Sequence, residues 1–93
     1  MVVGIVRFEL HLPAAQSLKD KRQVVRSLKD RLRERVRASV AEVEYQDLWQ
    51  RAAIGLAVVA ADGAQVRELL NSARHIVDQY VQIQLLDWQE TLQ

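Results

Sequence analysis

Six basic residues, Lys19, Arg22, Arg26, Lys29, Arg33 and Arg37, follow one another at intervals of three or four positions. That spacing sets side chains on one face of an α-helix. From Lys19 to Arg33 such a stripe would run about 21 Å at 1.5 Å per residue, the reach of several successive phosphates on a nucleic-acid strand. The acids of the same segment, Asp20, Asp30 and Glu34, fall beyond the stripe on the helical wheel, so the cations are expected to stand unpaired and to repel one another. Binding a polyanion relieves that repulsion, and RNA is the polyanion expected. The plainer reading is a solvated helix face rich in arginine, a good helix former. An anionic membrane is the weaker partner, because the apolar arc of this helix lacks Trp and Phe and is needed for the core.

The other chemistry-bearing residues form no catalytic set. Glu42 and Glu44 alternate as a same-face pair on a strand would, about 7 Å apart, yet nothing around them suggests a sugar or metal site, and solvated edge charge is the expectation. His11 and His75 stand alone, without the convergent ligands that a metal centre or a Ser-His-Asp triad requires. The chain has no cysteine, which removes thiol chemistry, zinc ribbons and iron–sulfur clusters. No Gly-rich phosphate cradle followed by an arginine is present. We therefore expect no enzymatic activity and no cofactor. Leu48 and Trp49 lie between Asp47 and Gln50 in a turn, where large apolar residues are unusual. Trp49 is then either a stacking or docking residue beside the basic helix, or its indole folds back over the edge of the core.

The elements that would position these residues are legible from periodicity. Residues 2–12 alternate, with Val2, Val6, Phe8, Leu10 and Leu12 on one side and Val3, Ile5, Arg7, Glu9 and His11 on the other, which predicts a strand closed by Pro13. Ser17 is placed to cap a helix running to about Val36, with its apolar positions at 18, 24, 25, 28, 32 and 36. A second strand is predicted over 38–46, at a sheet edge because of its charges. The nearly unbroken apolar run 52–61 predicts a central strand paired with it in a hairpin. Asp62-Gly63 reads as turn and N-cap of a second helix bearing Val66, Leu69, Leu70, Ala73, Ile76, Val77 and Tyr80. Val81, Ile83 and Leu85 alternate with glutamines ahead of Asp87 and Trp88, predicting a final strand.

The order βαββαβ, with two helices able to cover only one face of a four-stranded antiparallel sheet, predicts a ferredoxin-like α+β sandwich with strands one and three central. Val3, Ile5, Ala53, Ala57 and Val59 would then occupy the uncovered face, an apolar patch that favours a homodimer or a protein partner. That face lacks the exposed aromatics with which RNA-recognition domains of the same topology stack bases. At 93 residues, 49% hydrophobic and 27% charged, the chain is read as one domain, 1–93. Net charge is +1, but it is unevenly shared. Residues 1–37 carry ten Lys or Arg against four acids, and residues 38–93 carry three against eight. With neither a signal-like start nor an apolar run long enough to span a bilayer, a cytoplasmic location without membrane association is expected.

The string Ser17-Leu18-Lys19-Asp20-Lys21-Arg22-Gln23-Val24-Val25-Arg26-Ser27-Leu28, with Ser39-Val40-Ala41-Glu42-Val43 and Asp47-Leu48-Trp49-Gln50-Arg51, resembles the YlxP-like family of small bacterial proteins of unknown function. The resemblance extends over essentially the whole chain, and its most specific parts are SLKxKR and DLWQ. It implies a ferredoxin-like fold. Through the family's usual gene neighbourhood, beside translation initiation factor two and ribosome-binding factor A, it also implies a part in ribosome maturation or translation. It carries no catalytic residues. The expectation is a non-catalytic protein that binds RNA or a ribosomal particle through Lys19, Arg22, Arg26, Lys29, Arg33 and Arg37. The alternative is a homodimeric interaction module using the open sheet face and the Trp49 hairpin.

Overall fold

A computed structural model describes residues 1–93. The chain runs β1 (Val2–His11), α1 (Leu18–Val36), β2 (Ser39–Glu44), β3 (Arg51–Ala60), α2 (Gly63–Asp78) and β4 (Gln84–Leu92). The sheet order is β2-β3-β1-β4, and every neighbouring pair is antiparallel. Each helix connects two parallel strands across one intervening strand, so both crossovers place their helices against one face. This is the ferredoxin-like α+β sandwich, with β1 and β3 central.

The alternation sorts the two faces. Val6, Phe8 and Leu10 of β1 and Ile54, Leu56 and Val58 of β3 are buried with Val25, Leu28, Leu32 and Val36 of α1 and Val66, Leu70, Ala73 and Val77 of α2 in one core. Trp88 stacks on Phe8 with ring centroids 5.0 Å apart. At Gly4, α2 comes so close that an added Cβ would lie 2.5 Å from Val66 Cγ1. Both helices start where expected. Ser17 Oγ accepts from the Asp20 N–H, and Asp62 Oδ1 accepts from the Gln65 N–H. Each satisfies a donor that the first helical turn leaves free.

Two expectations are corrected. Val81 is 96% exposed in a turn, and β4 begins only at Gln84. The alternation of residues 81–85 continues into a turn because Tyr80, the residue after the α2 C-cap, still needs chain to reach the sheet edge. Glu42 and Glu44 do not share a face. A register shift in the β2–β3 ladder pairs Glu42 with Ile54 and Glu44 with Ala53. The extra residue turns Glu42 toward the helices and Glu44 toward the open face.

Candidate nucleic-acid interface and the clamped loop

Helix α1 presents five of its six stripe cations without anionic partners. Lys19, Arg22 and Arg26 are exposed and Lys29 is half-buried. None of the ion pairs in the molecule includes these four or Arg37. The sixth departs from the expectation that no acid joins the stripe. Arg33 Nη1 lies 3.6 Å from Asp30 Oδ1, one turn away on the same helix, and its Nη2 donates to the Val40 carbonyl at 2.9 Å. Arg33 is thus a structural residue that covers a carbonyl of the edge strand β2, where free backbone groups would otherwise invite pairing. Arg37 closes the helix with φ 57° and ψ 39°, a left-handed conformation that side chains other than glycine adopt at a cost.

The stripe lies on the β2 side of α1. Arg33 reaches Val40 near the start of β2. Lys21, three turns earlier on α1, reaches Glu42 and the loop that follows β2. The opposite flank of α1 meets α2 and the residues just after it, where Ser27 Oγ lies 2.9 Å from Tyr80 Oη and the Arg31 guanidinium sits over the Tyr80 ring.

Lys21 has no exposed surface. Its three N–H donors are directed to the carbonyls of Tyr45, Gln46 and Arg51 at 2.8, 3.2 and 3.3 Å. Glu42 Oε2 lies 2.9 Å from the same ammonium, but outside hydrogen-bonding angles. With every N–H already given to a carbonyl, the carboxylate balances the charge and the carbonyls hold the geometry. Tyr45 takes a left-handed φ of 64°, turning the chain into the loop, and its carbonyl also accepts from the Leu48 N–H. Gln50 secures the other side of the loop. Its Nε2 donates to the Pro13 and Ala15 carbonyls, and its own carbonyl accepts from the Leu12 N–H. The two strings that carry the family resemblance, around Lys21 and around Trp49, therefore meet at one end of the sheet.

On this frame Leu48 and Trp49 are displayed at 48% and 52% exposure. The indole does not fold over the core edge. Turn chemistry in the sequence marks the position of Trp49 but not what holds it. Lys21 occupies the i, i+4, i+7, i+11 series completed by Val25, Leu28 and Leu32, so a charge stands within the buried stripe of α1. Glu42 alternates with the inward-facing Val40. Two opposite charges at inward positions are the signal in the sequence that could have found the clamp.

The open sheet face divides in two. At one end Arg7 pairs with Glu9 at 2.9 Å and with Glu44 at 3.1 Å, and Arg51 pairs with Glu9. The Arg51 guanidinium also lies over the Tyr45 ring. The hydrogen bonds that Glu9 accepts from Arg7 and Arg51 hold its carboxyl below its ordinary value of 4.5, and those that Arg7 donates to Glu9 and Glu44 raise the pKa of Arg7. At the other end Ile5, Val43 and Val59 are 38%, 45% and 60% exposed, with Ala41, Gly55 and Ala57 between them. His11 and His75 each hydrogen-bond a side-chain amide, Gln84 and Gln79 respectively. No helix is long and apolar enough to cross a membrane.

Comparison with known proteins agrees with the resemblance read from the two strings. Over 83 residues, 89% of this chain and 90% of the relative, the sequence is 30% identical to the protein named "Uncharacterized protein YlxP" of Bacillus subtilis (strain 168). The family model described as "Protein of unknown function (DUF503)" matches residues 3–90. With nearly its whole length matched, the chain belongs to the DUF503 family, which includes the YlxP-like proteins.

Proposed function

We propose that the protein is a non-catalytic RNA- or ribosome-associated factor of the cytoplasm, which lays the outer flank of α1 against a phosphate backbone. The observation that carries this reading is the set of five stripe cations that no acid of the chain neutralises. A solvated surface ordinarily intersperses both signs, whereas a phosphate-binding surface gathers one. Arg22, Arg26 and Lys29 supply the central charge, Lys19 and Arg37 extend it at the ends, and Arg33 fixes the helix to the sheet edge while keeping its charge on the same flank. Such contacts position a protein on nucleic acid without reading its sequence.

Sedimentation of tagged protein from lysate on sucrose gradients at low and moderate salt tests the reading. Wild type should travel with ribosomal particles at low salt. A folded variant carrying Lys19→Ala, Arg22→Ala and Arg26→Ala should remain at the top. If both remain at the top at every salt concentration, the ribosomal reading fails.

A second reading is favoured by the exposed apolar half of the open sheet face, which fits a homodimer joined sheet to sheet. Val59→Glu would place a charge on it. Analytical ultracentrifugation should then find wild type associating with concentration and the variant monomeric. A wild type that is monomeric throughout contradicts this second reading.

A further inference from the structure

We propose that the Trp49 loop is a stacking platform for an unpaired base, so that the polyanion held along α1 is single-stranded RNA. This deepens the reading of the stripe and rests on it. Three observations converge on the loop.

The indole is half exposed and belongs neither to the core nor to the apolar residues packed against it. The fold closes without it. Its backbone frame is nevertheless fixed on both sides, by the Lys21 ammonium on three carbonyls and by the Gln50 amide on two. A loop whose backbone is already held has little ordering left to do when a ligand settles on its ring.

The loop also sits at the end of α1 where the stripe begins. Lys21 grips it from a position between Lys19 and Arg22, and β2 then runs along α1 to the contact between Arg33 and Val40. One strand can therefore place a base on Trp49 and its phosphates along Arg22, Arg26 and Lys29.

The combination of a π face with a one-signed cationic track is what single-stranded nucleic acid recognises, because its bases are free to leave the stack and its backbone carries the charge. A duplex keeps its base faces covered and would use the cations alone. An apolar pocket on another protein would accept Leu48 and Trp49 but leave the five cations without anions. Charge thus selects the occupant. Asp47 is the one acid within the turn and opposes the phosphates, so Asp47→Asn should tighten binding.

Titration of the chain with an oligoadenylate of about ten nucleotides, and with an RNA duplex carrying the same number of phosphates, tests the proposal. Trp88→Phe keeps a ring against Phe8 and leaves Trp49 as the sole indole. The single strand should quench its fluorescence saturably, and the duplex should not. Trp49→Ala should weaken single-strand affinity by about 5- to 150-fold, the worth of one stacked base. Trp49→Phe should retain most of it, and duplex affinity should be unmoved in both. If Trp49→Ala binds the single strand as tightly as wild type, with salt-dependent affinity intact, the stacking platform is overturned and the stripe stands. If neither RNA binds at low salt, both are overturned.

Discussion

Lys21 illustrates how one side chain can join three parts of a fold. A buried ammonium is tolerated only where charge and hydrogen bonds are both supplied. Here Glu42 supplies the charge and Tyr45, Gln46 and Arg51 the acceptors. Lys21→Met should leave a buried carboxylate unpaired and three carbonyls without their donor. The expected loss is about 3–5 kcal/mol, a large share of the roughly 5–14 kcal/mol available to a domain of this size. Urea unfolding measures it, and pairing the change with Glu42→Gln should recover part. A loss under about 0.5 kcal/mol, as at an ordinary surface site, would show that the clamp is not structural. Glu9 gives a pH signature. Its carboxyl is held below 4.5 by Arg7 and Arg51, so its stabilisation is complete above 4.5 and is lost as the pH falls through the lower folded value. Thermal midpoints of wild type and Glu9→Gln should differ most near neutral pH and converge in acid. A gap independent of pH would contradict the network.

At the scale of elements, alternation in β1, the apolar run of β3 and helical spacing in α1 and α2 fix the sandwich. These signals are legible because each element has one covered face to fill. What periodicity does not reveal is local. The bulge that parts Glu42 from Glu44 adds one residue on an edge strand, and no composition marks it. Periodicity starts β4 too early, at Val81, because alternation persists in a turn that lies outside the ladder. Close packing is testable at Gly4, where a methyl would strike Val66 and Leu70 of α2. Gly4→Ala should cost about 1–3 kcal/mol through overpacking, read from the denaturation midpoint. An unchanged midpoint would mean that α2 can shift away. Arg37 offers the opposite case. Arg37→Gly relieves a left-handed residue and should raise stability by up to about 1 kcal/mol while removing one stripe cation. Stability and binding should thus move in opposite directions.

Across the whole molecule, charge is divided between a basic helix and an acidic remainder, and the near-neutral total conceals it. The stripe is readable in the sequence because helical periodicity alone groups its residues. The structural role of Arg33 is not, because it depends on where the β2 carbonyls lie. The clamp beneath Trp49 is hidden for a related reason, since Lys21, Glu42 and Gln50 are brought together only by the tertiary fold. The central claim is that exposed cations of α1 bind phosphates. The most direct test is the affinity for RNA measured across a range of salt for wild type and Arg26→Ala. The logarithm of affinity should fall linearly with the logarithm of salt, and the variant's slope should be shallower by about 0.7–0.9, the value of one phosphate that Arg26 no longer neutralises. An Arg26→Ala slope equal to that of wild type would contradict the account.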